Sequence, residues 1–446
     1  MKEKQKPQRS SMVRDTLSTF GTNAFGSLMG LIASLVVLNK LPPFEKGLYN
    51  QVQTWGEGFF TCLGFSLNSA IIYYVARYKI KNTKAAIKKL TLGVGIFVIA
   101  VSSVVLLVLY GAGSGIQGNP FKETPWQYGA CVVIYTGCSF LFNILTAVLR
   151  GENKFKSYNL INLLQRILIT VFSVLTLVWP SAALLTGASI GISASMIILA
   201  YFCVRRWSGP QEEPAPEDDC AVTAKPIFKY GLKAYASNLM TYINSYIGTY
   251  IIQSVYDLST FGIYNTAFTI MRQVWILPEA VGVVITSRVA SMKDDNDKVR
   301  VTQLSCKIVM YITVICAFLI VWLAGIFVPK IFPKYVDSLR PLQYLIGGSI
   351  FVSFAKVLSN SIAAYGRPEL NILPTALGIV VNILFTIALI PSMRYNGVAV
   401  ATSFSMMTQG ICSLIIFCIY THTSPVWLLI PKKSEIALIK NTLSRK

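Results

Sequence analysis

Two ionisable side chains stand out because they lie deep inside long apolar stretches of the sequence. Glu57 and Arg272 each lie ten residues into such a stretch, which corresponds to about 15 Å along a helix and therefore to the middle of a bilayer. An ionised group at that depth costs several kcal/mol unless it faces water or an opposite charge. The pattern therefore predicts that both side chains have a functional role inside a membrane.

Three further charged residues, Glu279, Arg166 and Lys356, also lie within apolar stretches. Glu279 follows Arg272 by two helical turns, with Pro278 between them, where we expect a kink. An Arg272–Glu279 ion pair with a purely structural role is one interpretation. Arg166 lies about 10 Å inside the end of its own apolar stretch, where it could either snorkel to the interface or line a cavity. Lys356 lies closer to such an end, and we expect it to snorkel.

Small polar side chains repeat at helical spacing in two of the apolar stretches. Asn23 belongs to the stripe in the first stretch, and Asn238 and Tyr242 belong to the corresponding part of the seventh. Such stripes either allow helices to pack closely or line a cavity, and both interpretations stay open. Tyrosine rings suit sugar faces, although they also occur in membrane-interface belts.

The chain contains an internal duplication that relates these residues to one another. The quartet Gly-Leu-Tyr-Asn at residues 47–50 returns as Gly-Ile-Tyr-Asn at residues 262–265. The same offset of 215 residues relates Glu57 to Arg272 and Asn23 to Asn238. Because each quartet opens a long apolar stretch, the repeated unit is a block of membrane helices, a pattern common in transporters.

Composition supports a membrane protein throughout. Of the 446 residues, 54% are apolar and only 13% are charged, which is too few charges for a water-soluble surface. We predict an all-α integral membrane protein with about twelve transmembrane helices in two pseudo-symmetric six-helix lobes. The predicted spans are residues 16–39, 47–74, 90–110, 126–149, 159–179, 182–203, 234–255, 262–290, 304–328, 342–364, 371–390 and 397–420.

The distribution of Lys and Arg predicts the orientation. With a cytoplasmic N-terminus, 29 of the 40 Lys and Arg residues fall in cytoplasmic segments and 7 in outside loops. The predicted organisation is a cytoplasmic basic arm, an N-terminal lobe, a cytoplasmic linker rich in Pro and acids, a C-terminal lobe and a cytoplasmic tail. These five parts are residues 1–15, 16–203, 204–233, 234–420 and 421–446.

Several classes of function are excluded or disfavoured by the same residues. The net charge of +21 is explained by basic loops against anionic lipid headgroups, so we expect no nucleic acid partner. The nine cysteines lack a CxxC pair and the single histidine cannot form a zinc site alone. We therefore expect no metal, no cofactor and no catalytic residues, and nothing in the sequence requires more than a monomer.

Several segments resemble bacterial polysaccharide transporters. The resemblance rests on the basic N-terminal arm, the polar stripe of the first helix, the quartet at residues 47–50, the Leu-Arg-Gly-Glu-Asn-Lys turn at residues 149–154 and the Ala-Tyr-Gly-Arg echo at residues 364–367. These transporters are the O-antigen and capsule flippases of the multidrug/oligosaccharidyl-lipid/polysaccharide exporter superfamily. The resemblance covers about residues 10–420.

The resemblance implies a flippase of the bacterial inner membrane and not an enzyme. It would move an undecaprenyl-diphosphate-linked oligosaccharide from the cytoplasmic to the periplasmic leaflet, with H⁺ or Na⁺ as an optional coupling ion. The implied ligands of the glycan and its diphosphate are Arg272 first, then Arg166, with Asn23, Asn238 and Tyr242 lining the cavity. Membrane lipids are further partners.

Glu57 and Glu279 are the expected coupling or gating residues. We expect Glu57 and Arg272 to pair across the empty cavity, so that anionic cargo competes with Glu57 for the guanidinium. The alternative function is an ion-coupled multidrug or cation antiporter of the same superfamily, which would use Glu57 and Glu279 to bind cations. A polysaccharide polymerase or glycosyltransferase is less favoured, because the outside loops are short.

Overall fold

A computed structural model of the chain describes residues 6–115, 118–207, 223–292 and 294–429. Residues 208–222 of the predicted linker, 430–446 of the predicted tail and 1–5 of the predicted arm lie outside the described residues. Side chains of some further helical residues, Asn23 among them, are also outside the description.

The regular elements of the described residues are all helical. Fourteen α-helices, named α1 to α14 in chain order, are Lys6–Lys40, Pro43–Leu63, Leu67–Ala112, Trp126–Gly151, Phe155–Val174, Ala182–Trp207, Ala224–Val255, Leu258–Arg272, Ile276–Ser291, Asp295–Ile331, Leu339–Ala364, Ile372–Met393, Tyr395–Thr421 and Val426–Leu429. Short 3₁₀ turns adjoin them at Gly113–Gly115, Leu175–Leu177, Gln273–Trp275, Pro333–Ser338 and Pro368–Asn371.

Eight helical segments of the described chain are long and apolar enough to cross a bilayer, and α2 with the start of α3 forms a ninth, bent candidate. Each coincides with one of the predicted spans, so the chain is an all-helical, multi-pass membrane protein. Large apolar side chains point away from the packed helices, as Leu107 and Phe318 do, each 71% exposed. Such outward apolar faces fit a lipid surround, because lipid tails replace the protein core as their apolar environment.

Three further predicted spans are helical but shorter or less apolar than these nine segments. They are residues 16–39 in α1, 234–255 in α7 and 262–290 in α8 and α9. In α7, side chains such as Asn238 and Thr241 lower the hydropathy. In α1, the apolar part is the shorter segment Phe25–Lys40.

The second predicted span, residues 47–74, is not the continuous helix that its hydropathy indicates. It breaks between α2 and α3 with a bend of 57°, because Phe65 and Ser66 both adopt a left-handed conformation with φ of 48°. Hydrogen bonding from α7 supports the break: the Tyr235 hydroxyl donates to the Cys62 carbonyl at 2.6 Å, and Asn238 Nδ2 donates to Ser66 Oγ at 3.0 Å. The first bond gives the Cys62 carbonyl a partner in place of the helical N–H that it loses, and the second holds the Ser66 side chain at the bend.

The eighth predicted span, residues 262–290, is interrupted as well. A 3₁₀ turn at Gln273–Trp275 separates α8 from α9. Pro278 has no backbone N–H to donate to the carbonyl of Val274, four residues earlier, so the α-helical ladder is broken at this point. The α-helical hydrogen-bond pattern is therefore interrupted between Arg272 and Glu279, and the two residues lie on different helices.

The chain divides into two compact units. One comprises Met1–Tyr242 with Ile252–Ile263, and the other comprises Ile243–Ile251 with Tyr264–Lys446. The core of the first unit packs α3 against α4, with Ile71 and Val75 against Ile144 and Val148. The core of the second packs α9, α10, α11 and α13 around residues such as Val357. The predicted lobe boundaries stay a prediction.

Candidate functional site

In the second unit, Arg272 lies at the end of α8 among aromatic side chains. Its Nη1 donates a hydrogen bond to the Tyr246 hydroxyl at 2.7 Å. The guanidinium carbon lies 5.6 Å from the ring centre of Tyr246 and 6.0 Å from that of Phe268. Aromatic faces stabilise a cation without neutralising its charge. The side chain is exposed, so an anionic ligand can reach the guanidinium.

Glu279 forms an ion pair that the sequence did not indicate. Lys356 of α11 donates from Nζ to Glu279 Oε1 at 2.5 Å, and the same ammonium lies 4.5 Å from the ring centre of Trp275. The expectation that Lys356 snorkels to the interface is therefore wrong, because a carboxylate and an aromatic face inside the protein hold its charge. The residues are 77 positions apart, so helical spacing gave no signal for the pair.

Arg272, Glu279 and Lys356 form one group, which we call the charged cluster. Arg272 is close enough to Lys356 for the two cations to interact electrostatically. With two cations and one carboxylate, the charged cluster carries a net positive charge. The sequence placed Arg272 and Glu279 at one site and missed Lys356. The arrangement can attract an anion and can hold phosphate oxygens through the guanidinium.

Asn238 and Tyr242 lie along α2 in the first unit. Asn238 supports the α2–α3 break through Ser66, and the Tyr242 hydroxyl donates to the Thr54 carbonyl at 3.4 Å. Both residues are thus engaged with the backbone or side chains of α2 and its bend. Their predicted contact with a substrate is untested, and the contacts described give each a role in holding α7 against α2.

Arg166 of α5 packs against α1 in the first unit. A Cβ added at Gly26 would lie 2.5 Å from Arg166 Cδ and 2.9 Å from Nη1. The absence of a side chain at Gly26 therefore creates the space that the arginine occupies. One turn further along α1, a Cβ at Gly30 would meet nothing within 4 Å. Asn23, the remaining predicted ligand from α1, has a side chain outside the described residues.

Glu57 ends a polar column on one face of α2. Gln53 Nε2 donates to the Tyr49 hydroxyl at 2.7 Å, and that hydroxyl lies 3.3 Å from Ser189 Oγ of α6. Glu57 follows Gln53 by one turn, is exposed, and lies within electrostatic reach of Tyr49. The first unit therefore contains a polar surface on α2 that is suited to hydroxyl-rich or cationic ligands.

A buried polar network in the second unit was not predicted. Asn244 of α7 donates to Gln409 Oε1 at 3.0 Å and accepts from Ser405 Oγ at 3.1 Å. Gln409 Nε2 in turn donates to Thr375 Oγ1 at 3.4 Å. The network contains no ionised group and joins α7 to α12 and α13. The amide side chains of Asn244 and Gln409 within apolar helices could have predicted such a network, because buried amides require hydrogen-bond partners.

The described part of the chain offers no cluster of three or more His, Cys, Asp or Glu side chains that could hold a metal ion. The described functional groups are instead guanidinium, ammonium, carboxylate, hydroxyl and amide groups within membrane helices. Such groups bind ligands through charge and hydrogen bonds.

Comparison with known proteins identifies the family. Residues 12–277 match the family model described as polysaccharide biosynthesis protein. An uncharacterized membrane protein of Methanocaldococcus jannaschii is 23% identical over 409 residues, covering 85% of this chain and 78% of that protein. The probable low-salt glycan biosynthesis flippase Agl15 of Haloferax volcanii is 22% identical over 276 residues, covering 60% and 56%.

Solved structures share the fold at low sequence identity. The lipid II flippase MurJ in an inward closed conformation has a TM-score of 0.66 at 17% identity, covering 93% of this chain and 89% of that chain. An inward-facing multidrug resistance MATE transporter of the MOP superfamily has a TM-score of 0.61 at 14% identity, covering 89% and 94%. The match over residues 12–277 shows that the chain belongs to the polysaccharide biosynthesis protein family, and the solved structures show that it shares the fold of these membrane transport proteins.

Proposed function

We propose that the chain is a flippase for an undecaprenyl-diphosphate-linked oligosaccharide repeat unit. Transport runs from the cytoplasmic to the periplasmic leaflet of a bacterial inner membrane, for O-antigen, capsule or exopolysaccharide assembly. Twelve spans in two six-helix lobes, with both termini cytoplasmic, carry it by alternating access around a central cavity. H⁺ or Na⁺ is the expected ion if transport is coupled.

The charged cluster is the observation that carries this proposal. A lipid-linked diphosphate brings at least two negative charges into the membrane, and these need cations that remain charged there. Arg272 supplies a guanidinium held by Tyr246 and Phe268 and still exposed. Lys356 supplies a second cation that Glu279 partly neutralises. When phosphate approaches, Lys356 can exchange the carboxylate for a phosphate oxygen, which would couple binding to movement at the α8–α9 break.

The glycan needs hydroxyl and aromatic partners rather than charge. The Tyr49 and Gln53 column of α2 offers such groups, and Tyr246 presents a ring and a hydroxyl beside Arg272. A relative whose name describes a probable glycan biosynthesis flippase supports this class of cargo. The fold shared with a lipid II flippase supports the same type of movement.

Transport in proteoliposomes tests the proposal directly. The purified chain is reconstituted with an undecaprenyl-diphosphate-linked oligosaccharide that carries a fluorescent sugar, and a membrane-impermeant lectin reports its appearance on the opposite face. We expect flipping above that of empty liposomes, almost complete loss in Arg272→Ala and partial loss in Arg272→Lys. The lysine keeps the charge but cannot hold phosphate oxygens in two places.

Tyr246→Phe is the matched control for the arginine. It removes the hydroxyl that accepts from Arg272 and keeps the ring, so we expect a smaller loss than in Arg272→Ala. A wild-type protein that is correctly folded and moves no lipid-linked glycan would overturn the proposed function. Full activity of Arg272→Ala at normal protein level would remove the arginine from the site.

A cation antiporter is the second candidate, and the exposure of two acids in membrane helices favours it. Glu57 and Glu279 are both exposed, and carboxylates are the groups that bind H⁺, Na⁺ or a cationic drug. Lys356, however, already neutralises Glu279 in the described structure. Uptake of a cationic dye driven by a Na⁺ or H⁺ gradient, without glycolipid flipping, would favour the antiporter.

A further inference from the structure

Four tyrosines and one arginine form a second aromatic group, which we call the tyrosine cluster. It consists of Tyr73, Tyr74, Arg77 and Tyr78 of α3 and Tyr230 of α7, all in the first unit. Tyr73 and Tyr230 stack in parallel with ring centres 4.5 Å apart and an interplanar angle of 11°. Tyr74 meets Tyr230 at 90° and stacks on Tyr78 with ring centres 5.7 Å apart.

Arg77 is attached to this aromatic surface. Its Nη1 donates to the Tyr73 hydroxyl at 2.9 Å, and its guanidinium carbon lies 5.4 Å from the ring centre of Tyr78. The bond uses one of the five N–H donors of an arginine. No carboxylate pairs with Arg77 among the described residues. The tyrosines therefore orient the guanidinium without neutralising its charge, so it can bind an anionic ligand.

The stacked rings of the tyrosine cluster remain accessible. Tyr73 is 37% exposed and Tyr230 is 36% exposed, although the stack covers one face of each ring. A sugar ring presents C–H groups on one face and hydroxyls at its edge, so it stacks on an aromatic face and hydrogen-bonds to nearby hydroxyls. An aromatic belt at a membrane interface needs neither a parallel stack nor an arginine hydrogen-bonded to it.

The position of the tyrosine cluster in the chain matches the start of the proposed transport. It lies where the apolar part of the second predicted span ends and the basic segment at residues 75–89 begins, and the charge distribution predicts that this segment is cytoplasmic. Exposed Lys84 and Lys88 follow in the same helix. A lipid-linked glycan made in the cytoplasm presents its diphosphate at this depth, with the sugars on the cytoplasmic side.

We propose that the tyrosine cluster is an entry site that captures the sugar-diphosphate headgroup before it reaches the charged cluster. Arg77 binds the diphosphate, and the stacked pair of Tyr73 and Tyr230 receives the sugar nearest to it. This inference rests on the proposed flippase function. It adds a second, earlier binding site that is built from α3 and α7 and does not include Arg272.

Lipid binding by the full-length chain in detergent, measured by native mass spectrometry, tests the site. The probes are undecaprenyl diphosphate carrying one N-acetylhexosamine, undecaprenyl diphosphate without sugar, and phosphatidylglycerol. We expect binding to decrease in that order. Arg77→Gln should weaken binding of both diphosphates about tenfold, because it removes a charge-assisted contact. Tyr230→Leu should weaken binding of the sugar-bearing lipid alone.

Matched controls come from an exposed arginine and an exposed tyrosine elsewhere in the first unit. Arg205 and Tyr201 of α6 lie outside the tyrosine cluster, and Arg205→Gln and Tyr201→Leu should leave binding unchanged. Equal binding of phosphatidylglycerol and the glycolipid, or an equal effect of control and cluster variants, would overturn the entry site and identify an ordinary lipid contact.

Transport kinetics separate this inference from the proposed function. In proteoliposomes, Arg77→Gln and Tyr230→Leu should raise the glycolipid concentration for half-maximal flipping about tenfold and leave the maximal rate almost unchanged, whereas Arg272→Ala should lower the maximal rate. A wild-type chain that flips no glycolipid defeats the proposed function. Normal flipping with unchanged concentration dependence in both cluster variants defeats the entry site alone.

Discussion

Gly47 and Gly262 each pack against the backbone of the helix that contains the other. A Cβ at Gly47 would overlap the carbonyl oxygen of Leu258, and a Cβ at Gly262 would overlap that of Pro43. Gly47 and Gly262 are 215 residues apart, and so are Pro43 and Leu258, which is the offset of the repeat. The starts of α2 and α8 thus meet through a local two-fold relationship, in which each copy of the quartet supplies the space that the other requires.

Alanine at either glycine should destabilise the protein. Both positions are helical and buried, so alanine would normally gain about 0.5–1 kcal/mol from reduced chain entropy. Overlap with a backbone carbonyl should reverse the sign and cost about 1–3 kcal/mol. The double variant should cost less than the sum, because one displacement of the helices relieves both overlaps.

Thermal unfolding in detergent, followed by fluorescence-detected size exclusion, measures these changes. Gly93→Ala and Gly187→Ala are the controls, because a Cβ at either helical position meets nothing within 4 Å. We expect the controls to match or exceed the wild type. A wild-type melting temperature for Gly47→Ala and Gly262→Ala would contradict the close approach of the two helices.

A methyl group at Gly26 should displace Arg166 without unfolding the protein. The overlap is with the flexible side chain of the arginine rather than with backbone. If Arg166 binds the cargo, Gly26→Ala should reduce flipping about as much as Arg166→Ala, and the double variant should be no worse than either. Gly30→Ala on the same helix is the control. Equal flipping by Gly26→Ala and Gly30→Ala would indicate that the position of Arg166 is unimportant.

Removing only one charge of the Glu279–Lys356 pair should be more harmful than removing both. Glu279→Gln leaves Lys356 beside the positive Arg272, and we expect a loss of about 1 kcal/mol, because the carboxylate is partly exposed. Glu279→Gln with Lys356→Gln should recover most of this loss, since neither charge remains unpaired. Unfolding of the single and double variants measures the recovery. Simple addition of the two effects would show that the pair is not coupled.

The predicted coupling between Glu57 and Arg272 is tested by a separate double-mutant cycle. Glu57→Gln and Arg272→Gln are measured alone and together for stability and flipping. If the two charges pair in one transport state, the combined effect should be smaller than the sum of the single effects. Additive effects on both measurements would reject the coupling.

Hydropathy and charge predicted the class of fold because lipid restricts a spanning chain to a few solutions. The sequence singled out Arg272 by its depth and Glu279 by its spacing from Arg272, and both lie in the charged cluster, while their roles in transport stay predictions. Lys356 was assigned to the interface because its position in the sequence does not reveal that Glu279 lies within reach on another helix. The α2–α3 break was missed because no proline marks it, whereas Pro278 correctly indicated the break after α8.

The network around Asn244 could not be predicted from the sequence for the same reason. Its members Ser405, Gln409 and Thr375 lie in helices far along the chain from Asn244, so the hydrogen bonds between them become visible only in the folded structure. Asn238 and Tyr242 were predicted to bind the substrate, and that role stays a prediction. Packing alone revealed that they hydrogen-bond to α2 and its bend.

The bend at Phe65 and Ser66 differs from one made by proline. A proline permanently lacks its N–H, so a helix broken by proline cannot regain the missing bond. Phe65 and Ser66 retain their N–H groups, and their left-handed conformation costs about 1–2 kcal/mol per residue. If Tyr235 and Asn238 withdrew, α2 and α3 could join into one straight helix and recover that energy. The bend in the second span therefore leaves no backbone donor permanently missing, and Tyr235 and Asn238 of α7 hydrogen-bond to the residues on either side of Phe65.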